Sequence, residues 1–272
     1  MNNIDPTTKL YKIIESKKAH LEGQKRLKPQ AELEAELASL QAFQGPNFFD
    51  ALKSSQKGPK IIAEVKKASP SKGIINQDFS LLNINEAYQS VANVVAISVL
   101  TETDYFQGSD EVLSFFSEHN TNNKPLLRKD FIFDPYQVVE TKLLGAQAYL
   151  LIASLFETAE ELEALIQVGR EIGLEALVEV HTHEELELVK ATSAQIVGVN
   201  CRDMKTLDVN LDVHELLREI DDKCAKVAES GIDNSEYLNQ VTSFCDAALI
   251  GGHLMEAENI KSAIETLIGV KS

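Results

Sequence analysis

Eight short apolar runs, rich in β-branched residues, recur between residue 59 and the C-terminus. Each is followed by a polar loop and a segment of helical period. They are KIIAEV (60–65), VVAISVL (94–100), KPLL (124–127), AQAYLLIA (146–153), LEALVEV (174–180), AQIVGVN (194–200), AKVAES (225–230) and DAALIG (246–251). Runs that are apolar throughout belong to strands covered on both faces, which implies parallel pairing with helical crossovers. Their spacing is that of a βα unit. Periodicity alone leaves an open doubly wound sheet as an alternative, but eight consecutive units in this length favour closure. The predicted fold class is α/β, a (β/α)8 TIM barrel.

Helix boundaries are legible between the runs. Asp134-Pro135 sets a cap before a proline at the first helical position, and Thr158/Glu161 and Thr182/Glu185 have capping-box spacing. Gly145 and Gly173 sit where helices should end. Residues 1–45 differ in character, being rich in Lys, Glu, Gln and Ala, with Leu33, Leu37 and Leu40 at helical spacing after Pro29. They are expected to form an N-terminal helical extension that packs on the barrel of residues 46–272.

Charge narrows the function classes. Lys and Arg total 26 against 42 Asp and Glu, a net charge of −16. Such a surface repels nucleic-acid phosphates and anionic lipid, so neither is an expected partner. An anionic small molecule would need a local cluster of cations or amides. The three cysteines, Cys201, Cys224 and Cys245, lack metal-ligand spacing, and a reducing compartment suits them. With no apolar run long enough to span a bilayer, the expectation is a cytoplasmic protein, most simply a monomer. GxxxxGK[ST] and GxGxxG motifs are absent, which argues against nucleotide cofactors bound in the usual ways.

In such a barrel the chemistry sits at the C-terminal ends of the strands. The first run ends Ala63-Glu64-Val65-Lys66, with Glu64 and Lys66 on one face and Ile61, Ala63 and Val65 on the other. The third ends Arg128-Lys129-Asp130, the fifth Val178-Glu179-Val180 and the sixth Val199-Asn200-Cys201-Arg202. Charges inside an apolar strand are costly unless paired or used. One would read as a structural ion pair, whereas equivalent charges on several strands read as a site. Crowded Lys and Glu groups shift one another's pKa toward acid/base work. The seventh run is followed by Ser230-Gly231 and the eighth by Gly251-Gly252, the recurrent phosphate-binding position of these barrels. Residue types alone leave open a Schiff base on Lys66 or Lys129. A metal pair at His181 and His183 is disfavoured, because Thr182 reads as a helix cap. The residues describe a phosphate-binding acid/base enzyme without metal or organic cofactor.

The strand-end motifs also resemble a known family. IAEVKKASPSKG (62–73) is similar to the first-strand signature of indole-3-glycerol phosphate synthases. SVLTE (98–102) with YFQGS (105–109), LRKDFIFDPYQV (127–138), VEVH (178–181), GVNCRDMKTL (198–207), AESGI (228–232) and LIGGHLM (249–255) resemble its remaining strand ends in order. The resemblance implies a reaction. It is ring closure, decarboxylation and dehydration of 1-(2-carboxyphenylamino)-1-deoxyribulose 5-phosphate to indole-3-glycerol phosphate, in tryptophan biosynthesis.

It also implies roles. Lys129 resembles the general acid, Lys66 the lysine that engages the anthranilate carboxylate, and Glu179 the base of the dehydration. Glu64 and Asn200 would orient substrate and lysines. Ser69, Arg202 and Ser230 would line the substrate, Phe106 and Phe131 would pack against its ring, and Gly231, Gly251 and Gly252 would hold the phosphate. Departures are Gly252 where many relatives have Ser, Cys201 where Asn or Ser is common, and Gln107 where Gly is common. Two rivals remain for the residues. Phosphoribosylanthranilate isomerase would want a Cys/Asp pair, where the first strand supplies Glu64 and Lys66. A silent, ligand-sensing barrel would be expected to lack one of Lys66, Lys129 or Glu179, and all are present.

Overall fold

A computed structural model describes residues 7–40, 42–70, 72–76, 78–203 and 208–270. Ser71 of the first-strand motif and residues 204–207 of the sixth lie outside them. All eight apolar runs form strands: β1 Ile61–Val65, β2 Val94–Leu100, β3 Leu126–Lys129, β4 Ala148–Ile152, β5 Glu175–Val180, β6 Ile196–Asn200, β7 Ala225–Glu229 and β8 Ala247–Ile250. Neighbours pair in parallel and β1 pairs with both β2 and β8, so the sheet is a closed barrel. The reason is visible in the sequence. Strands apolar on both faces bury one set of side chains in the barrel and the other under helices, leaving no edge exposed.

The helices are α1 Lys9–Leu27, α2 Gln30–Leu37, α3 Phe48–Lys53, α4 Leu81–Ser90, α5 Asp110–Glu118, α6 Pro135–Leu143, α7 Ala159–Glu171, α8 His183–Lys190, α9 Ser235–Val241, α10 Gly252–Glu256 and α11 Ile260–Leu267. Their starts follow the sequence signals. Asp134 accepts from Tyr136 N–H, and Thr158 and Thr182 accept from Glu161 and Glu185 N–H. The return bonds of the two capping boxes land one residue earlier than expected, on the amides of Glu157 and His181. Gly145 and Gly173 follow α6 and α7 with positive φ, as helix-ending glycines do.

Two details differ from the sequence pattern. After β6 the crossover is a 3-10 run, Leu211–Glu219, where a helix of ordinary pitch was expected. It is pinned by the buried His214, which bonds to Glu229 O and the Tyr237 hydroxyl. Leu40 is exposed, because α2 stops at Leu37 and the Ser39 hydroxyl turns back onto Glu36 O.

The two ends of the barrel are closed differently. At the strand starts, α3 inserts Phe48 and Leu52, both fully buried. Phe49 N–H bonds the Glu175 carboxylate, and Lys53 pairs with Asp246 at 2.9 Å. At the strand ends lies α1. It buries Leu10, Ile13 and Ile14 in the main core, while Leu21 packs with Leu33, Tyr136 and Val139. Lys17 pairs with Asp130 and Lys25 with Asp134, each at 2.6 Å, and Ser16 bonds Asp104. Apolar burial supplies the stabilisation of this docking, and the ion pairs fix its register over the mouth.

Candidate active site

A cavity of about 840 Å3 opens at the C-terminal ends of the strands. Glu64 from β1 and Lys66 just after it, Lys129 from β3, Glu179 from β5 and Asn200 from β6 all line it, as do Ser69, Phe106, Phe131, Arg202 and Ser230. Gly231, Gly251 and Gly252 line it too, so the residues singled out in the sequence share one space. From α1, Lys9, Leu10 and Ile13 reach it as a partial roof.

Strand parity selects the inward side chains. Leu100 pairs with Lys129, Ile152 with Glu179, Glu179 with Gly198, and Asn200 with Glu229. The polar set therefore forms a belt at one level of the barrel. At its centre Lys129 Nζ donates to Glu179 Oε2 and Glu229 Oε2, both at 2.8 Å. Beside it, Lys66 pairs with Glu64 at 2.5 Å.

Glu229 escaped the sequence reading. Its strand, AKVAES, carries a terminal glutamate as the fifth strand does, but the following Ser-Gly drew the interpretation to phosphate alone. Gly198 makes its approach possible. A Cβ at that position would lie 2.1 Å from Glu229 Oε1, so the bare backbone of β6 lets the carboxylate lean across toward Glu179.

Burial in this belt opposes every charge, and the neighbours decide the outcome. For Lys129 burial disfavours the ammonium, but Glu179 and Glu229 outweigh it and hold the proton well above the ordinary lysine range. Glu179 is likewise desolvated, yet Lys129 and His181 keep it well below the usual carboxylate range. Glu229 goes the other way. Burial, reinforced by the charge of Glu179, overcomes Lys129 and pushes it up to about 8. Burial and the charge of Glu179 thus favour the proton on Glu229, while Lys129 and His181 favour the negative charge on Glu179.

The mouth also has an apolar and an amide-lined side. The Glu102 carboxylate accepts the backbone N–H groups of Asp104, Tyr105 and Phe106, which fixes the loop carrying Phe106. The Phe106 and Phe131 rings pack against each other, centroids 6.4 Å apart at 41°, and give the mouth an apolar aromatic face. Gln107, next in that loop, adopts φ 52, in the left-handed region that favours glycine. After β7, Ser230 and Gly231 have φ 68 and 70, a left-handed turn whose residues line the cavity. After β8, α10 starts at Gly252, leaving its first amides without helical partners. Among the described residues, no group of three or more His, Cys, Asp or Glu side chains could hold a metal ion.

A family model described as indole-3-glycerol phosphate synthase matches residues 10–267. The chain belongs to the indole-3-glycerol phosphate synthase family. Indole-3-glycerol phosphate synthase from Campylobacter jejuni subsp. jejuni serotype O:23/36 (strain 81-176) is 42% identical over 95% of this chain and 99% of its own length. That of Thermoanaerobacter pseudethanolicus is 40% identical over 91% of this chain and 92% of its own. Among solved structures, a tryptophan synthase complex from Pyrococcus furiosus superposes with TM-score 0.58 at 14% identity, covering 78% of this chain and 99% of that one. 3-Hexulose-6-phosphate synthase from Salmonella typhimurium gives 0.57 at 11%, covering 78% and 97%. At such identities these two show the shared barrel. Family membership rests on the sequence relatives, and it agrees with the motifs at the strand ends.

Proposed function

We propose that this chain converts 1-(2-carboxyphenylamino)-1-deoxyribulose 5-phosphate to indole-3-glycerol phosphate, CO2 and water, as its family's name describes, and that the belt around Lys129 does the chemistry. The observation that carries the reading is the shared ammonium: Lys129 donates to two carboxylates, Glu179 and Glu229, at the border of the cavity.

The reaction makes matching demands. The anthranilate carbon bearing the carboxylate attacks the ketose carbonyl, and negative charge develops on that oxygen. Lys129 is the acid that meets it, in a mouth where a fixed charge acts strongly. The bond to CO2 then breaks, and its electron pair restores the aromatic ring. Lys66, steadied by Glu64 at 2.5 Å, holds the anthranilate carboxylate near the carbonyl until that bond forms. Loss of water follows: the hydroxyl leaves with a proton from a lysine, and Glu179 removes the proton whose pair forms the indole double bond. A carboxylate held as low as Glu179 is a weak base while Lys129 sits on it. Drawing the ammonium toward the substrate oxygen strengthens the base when the second step needs it.

Phe106 and Phe131 flank the aromatic ring, while Asn200, Arg202 and Ser69 contact the sugar and carboxylate. Ser230, Gly231, Gly251 and Gly252 present amides to the phosphate, which is how so acidic a protein binds an anion. No described helix is long and apolar enough to cross a membrane. The test is turnover by purified protein, with CO2 and indole product counted together. One CO2 for each indole-3-glycerol phosphate is expected, and absence of indole product would favour a silent, ligand-binding barrel.

A further inference from the structure

One buried titratable group touches this site without a role in the chemistry above. His181 is the first residue after β5, and its imidazole is wedged between two carboxylates. Nε2 stands 3.3 Å from Glu179 Oε1, and Nδ1 stands 3.2 Å from Glu185 Oε2. Glu185 is itself fixed. It lies in the first turn of α8 and accepts the His181 backbone N–H at 2.7 Å. The same carboxylate thus holds both the backbone and the ring of His181.

The two glutamates on Lys129 are equivalent in distance and unequal in company. Each accepts from Nζ at 2.8 Å. Glu179 has the His181 nitrogen 3.3 Å from its other oxygen, an ion-pair contact outside hydrogen-bond geometry, whereas Glu229 Oε1 is buried with neither a hydrogen bond nor a second cation beside it. Two carboxylates facing one ammonium in a desolvated belt cannot both stay ionised at low cost. The negative charge settles where the additional positive charge is. We infer that His181, braced by Glu185, is a positioning residue that decides which of the two carboxylates on Lys129 serves as the base. This rests on the reading of Glu179 as that base.

Electrostatics agrees with the geometry. Burial works against the imidazolium, but the neighbouring carboxylates of Glu179 and Glu185 push His181 up to about 10, which favours its charged form at neutral pH. The charged groups acting on it are Glu179 on β5 and Glu185 on α8. Behind Glu179 stand Lys129 from β3 and Glu229 from β7, with Glu64 from β1 also acting on Lys129.

The consequence is a pH profile that a merely structural residue would not produce. Below the upper titration of the pair, near 8, Glu179 and Glu229 share one proton. With His181 in place it sits on Glu229, and the rate does not depend on removing it. In His181→Gln the proton redistributes onto Glu179. kcat/KM near neutral pH should then fall about tenfold, one pKa unit of lost preference. It should recover toward wild type as pH rises through that titration and both carboxylates ionise. Glu185→Gln, which leaves the imidazole but frees it, should show the same shape with a smaller drop, and serves if His181→Gln does not fold. A His181→Gln profile superimposable on wild type, or a loss that stays constant across pH, overturns the inference. Glu179→Gln in the same assay separates the two claims. If it keeps turning over, the base assignment itself fails. If it is inactive while His181→Gln is unchanged, only the role of His181 fails.

Discussion

Arg128 and Lys129 are adjacent on β3, both carry buried positive charge, and strand parity sends them to opposite faces. Arg128 points outward under the helices, with 1% of its side chain exposed. It pairs with Asp110 at 2.9 Å, Glu140 at 2.8 Å and Asp130 at 3.6 Å, and donates to Thr101. The guanidinium is surrounded by three carboxylates, one of which, Asp130, also holds Lys17 of α1. Lys129 points inward, and its two carboxylates border an open cavity. Lys124, just before the strand, is a third case. It is buried with its ammonium on three backbone carbonyls, Tyr88 O at 2.8 Å, Val91 O at 2.7 Å and Val94 O at 2.6 Å. A buried cation is therefore no sign of function in itself. What distinguishes Lys129 is that it and both of its carboxylates line a space a substrate can enter, which Arg128 does not reach.

Substitutions along this division should separate activity from stability. The largest effect belongs to Glu179→Gln, which keeps the shape of the belt and removes the base. kcat should fall by about 10²–10⁴-fold with a thermal midpoint close to wild type; a loss under tenfold would take the base role from it. Arg128→Met should do the reverse. Leaving Asp110, Asp130 and Glu140 without their cation should lower the unfolding free energy by about 3–5 kcal/mol, measured by denaturant titration.

Lys124→Met should cost less, about 1–3 kcal/mol, as three carbonyls lose their donor, and surviving folded protein should turn over normally. The sign of its pH dependence is fixed. Burial pushes Lys124 down to about 8 from the ordinary 10.5. Between those values the unfolded chain holds a proton that the folded one has released. Stability of wild type relative to Lys124→Met should then rise with pH across that window.

The smallest effect is expected at the phosphate side. Gly231 has φ 70, and a Cβ there would lie 2.5 Å from Leu211 Cδ2. Gly231→Ala should strain the turn by about 1–2 kcal/mol and raise KM several-fold, with kcat little changed. An unaltered KM would place the phosphate elsewhere.

The barrel was legible because continuous apolar runs admit few packings, and the mouth was legible because Glu64, Lys129 and Glu179 break those runs at equivalent positions. Other features were not, for physical reasons. Glu229 breaks its strand at the same level, but its approach depends on the missing side chain of Gly198, a cross-strand relation that no local pattern carries. The roof residues Leu10 and Ile13 look like ordinary helix-face apolars, and only docking through Lys17 and Asp130 brings them over the cavity. His181 read as a loop residue beside a cap. Its meaning depends on Glu185 bonding one residue further back than capping-box spacing suggests.

The most direct test is the turnover of Lys129→Ala beside its thermal melt and its affinity for a substrate analogue. A fall in kcat of several orders of magnitude, with folding and binding nearly intact, is the expected result. Turnover close to wild type from that folded variant would contradict the assignment of the acid and, with it, the belt as the seat of the reaction.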